Sequence, residues 1–136
     1  MTASFAIDTN IAIYALSEHP KCHVALALLE AGPHISVQLL NEFANASLRK
    51  RRLPWPEIEE LLGVINSLAR DVRPMDLELH RLGRAVAKRY KLGLYDSLML
   101  AAALQDKCVT FYSEDMQHGL LIAGQLTVTN PFMETA

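Results

Sequence analysis

"GLYDSLMLAAALQDKCVTFYS", Gly93 to Ser113, sets one carboxylate, Asp96, at the head of a segment whose next eight residues are almost all apolar, and follows it at once with a short β-type run. An apolar helix leading directly into a buried strand is the unit from which α/β domains with mostly parallel sheets are built. Asp96 has Met99 and Leu100 three and four positions on. The helical ion pair that ordinarily accounts for a surface acid is therefore missing.

The same alternation extends in both directions. "SFAID" (Ser4 to Asp8) reads as a short buried strand ending in an acid, and "TNIAIYAL" after it as helical. "PKCHVALALLEAG" fits a second helix, with Pro20 near its first turn and Gly32 as its stop. "HISV" is a brief strand, and Gln38 to Arg52 a helix with Leu39, Phe43 and Ala46 on one side, closed by Pro54 and Pro56. Pro56 to Arg70 is amphipathic, through Ile58, Leu61, Leu62, Ile65 and Leu68. "DVRPM" suggests a strand, and Asp76 to about Lys91 a helix with Leu79, Leu82 and Val86 inward. "CVTFYS" and "QLTVTN" complete the strands, with a weak turn or helix expected after "EDMQHG".

A length of 136 residues suits one domain over residues 1–136, and half the chain is hydrophobic against a fifth charged. The start lacks the basic and apolar regions of a secretory signal, and no stretch reaches the roughly 18 apolar residues of a membrane span. Cys22 and Cys108 stand far apart without zinc-site spacing. These features point to a cytoplasmic protein. Net charge is −2, yet eleven of the thirteen Lys and Arg lie between Arg49 and Lys91. The middle of the chain is locally basic.

Ligands of open parallel sheets bind beyond the carboxyl ends of the strands. Asp8 ends the first strand, Asp115 follows "CVTFYS", Asp96 heads its helix, and Glu42 lies in the early turns of the helix after "HISV". Helix capping accounts for any one of the aspartates, and solvation for Glu42. Four acids facing one edge repel one another and favour a cation among them. Hard oxygen donors without Cys or His suit Mg²⁺ or Mn²⁺. Such a site fits metal-assisted phosphodiester hydrolysis.

Four segments, "IDTNIAIY" (Ile7 to Tyr14), "ISVQLLNEFANASLRK" (Ile35 to Lys50), "YDSLMLAAALQ" (Tyr95 to Gln105) and "YSEDMQHG" (Tyr112 to Gly119), resemble in order and spacing the PIN domain, specifically the VapC-type toxins of bacterial toxin–antitoxin pairs. The resemblance implies a three-layer α/β/α domain with a short, mostly parallel sheet. It implies that Asp8, Glu42, Asp96 and Asp115 form the acidic metal-binding cluster of a ribonuclease using Mg²⁺ or Mn²⁺, with Asn10 and Ser113 as supporting polar groups. Its substrates would be structured RNA such as tRNA or ribosomal RNA, and its partners a VapB-like antitoxin and a second copy in a homodimer. Glu114 competes with Asp115 as the fourth acid, and the S-x-D pattern favours Asp115.

Two basic groups are candidate RNA contacts. Arg49 and Lys50 belong to "RKRR", whose plainer explanation is the favourable placing of cations at a helix end. Arg81, Arg84 and Lys88 form an outward stripe at helical spacing. His19 and His23 are a poor metal pair, His118 suits a turn, and Trp55 between two prolines reads as a staple into the helix. A catalytically silent PIN-like module that binds RNA or protein is the alternative function. A receiver-like phosphotransfer domain fits less well, since it would want an acidic pair at the first strand.

Overall fold

The computed structural model describes residues 4–133. Strands β1 (Phe5–Ile7), β2 (His34–Ser36), β3 (Asp71–Arg73), β4 (Thr110–Tyr112), β5 (Leu121–Ile122) and β6 (Leu126–Thr129) form one sheet in the order β3-β2-β1-β4-β6-β5. Every neighbouring pair is parallel except β5 with β6. The helices are α1 (Thr9–Ala15), α2 (Cys22–Glu30), α3 (Val37–Arg49), α4 (Trp55–Leu68), α5 (Leu77–Tyr90) and α6 (Leu94–Gln105). They make the expected three-layer α/β/α arrangement, with helices covering both faces of the mostly parallel sheet.

The strands are short, and their register decides what they present. Ile7 pairs with Tyr112 and Tyr112 with Thr129, while Ala6 opposite His34 and Ser36 opposite Arg73 carry β2 and β3 one residue further, so the carboxyl ends of the five strands finish within one residue of each other. The residues immediately after them therefore emerge along one edge. Local chemistry turns two of these exits into helices: Asp8 caps α1, accepting from Thr9 N at 2.7 Å, and Ser36 caps α3, accepting from Leu39 N at 3.3 Å.

Helix α6 is buried without interruption from Ser97 to Ala103. One flank joins the main core with Ile7, Phe43 and Phe111. The other meets α5, where Leu79 packs with Ala101 and Ala102. The two helices approach closely at Gly83: a Cβ there would lie 2.5 Å from Leu98 Cδ2 and 3.3 Å from Leu98 Cα. Glycine is needed at that position for packing.

Of the turn or helix expected after "EDMQHG" the turn forms, and it leads into β5, a two-residue strand folded back on β6. Two expectations change. Helix α3 starts at Val37 and ends at Arg49, and Ala46 leaves the core side, where Ser47 is buried instead. Trp55 forms the first residue of α4 and stands 52 % exposed, so it does not staple the helix to a core.

Replacing Gly83 with Ala forces α5 from α6 or Leu98 out of its rotamer, and should cost about 1–3 kcal/mol. Urea unfolding of the variant checks this, and an unchanged midpoint would show that the two helices separate freely.

Candidate active site

Asp8 is 4 % exposed, and both its oxygens are occupied. Oδ1 accepts from Thr9 N, and Oδ2 accepts from the Ser113 hydroxyl at 2.8 Å. Ser113, fully buried at the end of β4, also accepts from the backbone N–H groups of Asp115 (3.2 Å) and Met116 (3.3 Å). One hydroxyl thus donates to the first acid while shaping the loop that carries another. Asn10, on α1, donates from Nδ2 to Asp115 Oδ2. Gln38 donates to Glu42 Oε2 at 3.0 Å, one turn away on α3. Asp96 stands in the first turn of α6, whose N-cap is Gly93, so capping does not occupy it.

Asp8, Glu42, Asp96 and Asp115 line one cleft of about 400 Å³, together with Thr9, Asn10 and Asn45. Glu114 turns away from it. Its carboxylate receives the Tyr14 hydroxyl and the Lys21 ammonium, while Lys21 also lies over the Tyr14 and Phe132 rings. Burial pushes the Glu114 pKa up, but the hydrogen bonds from Lys21 and Tyr14 outweigh it and leave the group below its ordinary value.

Asp8, Glu42 and Asp96 behave in the opposite sense. Asp8 is raised to about 7, first by loss of solvent and then by Asp96 and Asp115, against the hydrogen bonds from Ser113 and Thr9. Glu42 is raised by burial and by Asp96, offset in part by Gln38 and Thr9. Asp96 is raised by burial and by Asp115. Among the described residues no Lys, Arg or His makes an ion pair with any of the four. The donor set is all oxygen, the cations of the cleft wall, Arg49, Lys50 and Arg51, make no ion pair with it, and the wall contains no Cys or His. These residues fit a hard divalent cation such as Mg²⁺ or Mn²⁺ better than a softer ion.

Arg49 and Lys50 line the same cleft, whereas Arg81, Arg84 and Lys88 are exposed on α5 and lie outside its lining. Thr9, Asn45 and Arg51 are cleft residues that the sequence did not single out. Thr9 and Asn45 adjoin predicted acids, and Arg51 lies inside "RKRR". A second acidic group sits where β2 and β3 begin and α6 has just ended: His34, Asp71 and Asp106 bring ligand-type atoms within 4.8 Å of one another. There His34 Nδ1 is 2.7 Å from Asp71 Oδ1, and Arg73 Nη2 is 2.6 Å from Asp106 Oδ1. Those contacts make it an ion network bracing the opposite end of the sheet. His118 has a turn role, its Nδ1 accepting from Asn130 N at 3.0 Å. His19 stacks on Tyr14, with ring centres 4.2 Å apart.

The PIN domain profile matches residues 5–118, and the chain belongs to that family. Three solved structures share its fold. A toxin–antitoxin complex from Klebsiella pneumoniae is 22 % identical, with a TM-score of 0.68 over 96 % of this chain and 98 % of that one. VapBC2 from Rickettsia felis, bound to a DNA fragment from its promoter, is 17 % identical, with a TM-score of 0.67 over 93 % and 98 %. The sarcin-ricin loop cleaving toxin VapC20 from Mycobacterium tuberculosis is 16 % identical, with a TM-score of 0.64 over 79 % and 87 %. No curated protein matches the sequence. None of the described helices is long and apolar enough to cross a membrane.

Asp8 unfolded ionises near 3.8 and folded near 7, so between those values the native state holds the extra proton. Stability without metal therefore falls as pH rises through that window, where only the native state must ionise a buried carboxylate. Unfolding in EDTA should show this decline, and Asp8→Asn should flatten it in part, the two profiles diverging by about 1–4 kcal/mol between pH 4 and 8. Parallel profiles would contradict the assigned cause.

Proposed function

We propose that this protein is a divalent-metal-dependent endoribonuclease of the VapC toxin kind. The observation that carries the proposal is the convergence of Asp8, Glu42, Asp96 and Asp115 on one cleft without an ion-paired cation among the described residues. Family membership supports it, as does the fold shared with toxins of toxin–antitoxin complexes.

The four acids would hold Mg²⁺ or Mn²⁺, which would supply a water of lowered pKa and offset charge on the phosphate oxygens. Ser113 fixes the rotamer of Asp8, Asn10 that of Asp115, and Gln38 that of Glu42. These contacts restrain three of the four carboxylates that line the cleft. No side chain need act as the nucleophile. The substrate is structured RNA, and a cognate antitoxin in the cytoplasm restrains the activity. Homodimer formation belongs to the same reading.

Purified protein should cut a pool of tRNA and ribosomal RNA into discrete fragments in Mg²⁺ or Mn²⁺ and not in EDTA, and Asp96→Asn should abolish cutting without unfolding the chain. Full cleavage by the pure variant would defeat the proposal, and no cleavage by metal-loaded wild type would favour a silent binding module. Ser113→Ala leaves every acid in place but frees Asp8 and the Asp115 loop, and should lower activity by about 10–100-fold, as loss of a group orienting metal ligands does. Unchanged activity in that variant would remove Ser113 from the supporting role.

A further inference from the structure

At the far end of α3 the cleft changes sign. Arg49, Lys50 and Arg51 line it together with the four acids. Glu42 and Arg49 are seven residues apart on one helix, or about 10 Å at roughly 1.5 Å per residue. The three cations are differently engaged. Arg49 Nε donates to Asn45 Oδ1 at 3.2 Å, and Lys50 is exposed. Arg51 is half-buried and makes no ion pair with any described residue, and its Nη1 is shut off from solvent with no acceptor.

The backbone holds Arg51 in that position. Lys50 N and Arg51 N both donate to Ala46 O, at 2.9 and 3.2 Å, and Leu53 N returns to Ser47 O at 3.0 Å. Between them Arg52 takes a φ of 53°, a left-handed conformation that long side chains seldom adopt. The chain thus turns directly after Arg51, and the residue becomes part of the cleft wall. Its position beyond the end of α3 does not explain an N–H deprived of both water and acceptor, since buried donors are normally paired.

We propose that Arg51 forms an anion subsite taking a phosphodiester of the RNA backbone a few nucleotides from the one presented to the acids. The proposal rests on the nuclease reading and extends it with a direction: the strand runs from the carboxylates along α3 to Arg51. A planar guanidinium offers paired donors to phosphate oxygens, as a lysine does not. At about 3.4 Å per phosphate of a stacked strand, the roughly 10 Å from Glu42 to Arg49 puts the end of α3, where Arg51 follows, about three nucleotides from the cut.

Binding of labelled bulk tRNA to the non-cutting Asp96→Asn protein, measured between 50 and 200 mM salt, tests the subsite. Adding Arg51→Ala should weaken binding about tenfold and lower the salt slope by about one. Adding Arg70→Ala, an exposed change outside the cleft lining, should do neither. Arg51→Gln, shorter and uncharged but still carrying an amide donor, repeats the measurement should the alanine variant melt early. Equal affinity and slope with and without Arg51 would overturn the subsite while leaving the nuclease reading intact. Failure of the Asp96→Asn parent to bind RNA at all would overturn both.

Discussion

Four carboxylates cannot share a half-buried cleft at neutral pH without either retaining protons or gaining a cation. Burial and mutual repulsion already hold Asp8, Glu42 and Asp96 above their ordinary values. The free-energy gap created by removing solvent from these acids is what a divalent ion would close. The protein spends stability on keeping the acids together, and the rest of the fold can be understood as the frame that permits it.

That frame depends on nearly level strand ends and rigid exits from them. The register of β1, β2 and β4 brings Asp8, α3 and Ser113 to one edge, and the Ser113 hydroxyl joins Asp8 to the loop carrying Asp115. Asp96 is held differently, by an apolar helix that is buried from Ser97 onward and locked to α5 at Gly83. Acids delivered by separate elements meet because each element is fixed independently to the core. The cations beside Glu114 and Asp106 are kept out of the cleft by their own partners.

Much of this was legible in the amino-acid sequence because the decisive segments have little choice. The run after Asp96 is too apolar to be exposed, and an acid at its head without a helical partner demands another explanation. Asp8 shows that capping and site placement are compatible, since one oxygen caps α1 while the side chain lines the cleft. Strand β5 was not legible, because two residues cannot display an alternating pattern. The S-x-D pattern favoured Asp115 over Glu114, but what holds Glu114 away was not legible, since it depends on Tyr14 and Lys21, about a hundred positions earlier. Arg51 escaped notice because its return to the cleft requires a left-handed arginine next to it, a conformation that no local propensity foretells.

The central claim, that these acids are held as a high-energy cluster waiting for a cation, is tested most directly by following the side-chain carboxyl carbon of Asp8 by NMR as pH is varied, with and without Mg²⁺. The account predicts titration near 7 in metal-free protein and a large fall in that midpoint when Mg²⁺ is added. An Asp8 that ionises near 3.8 and ignores Mg²⁺ would contradict it.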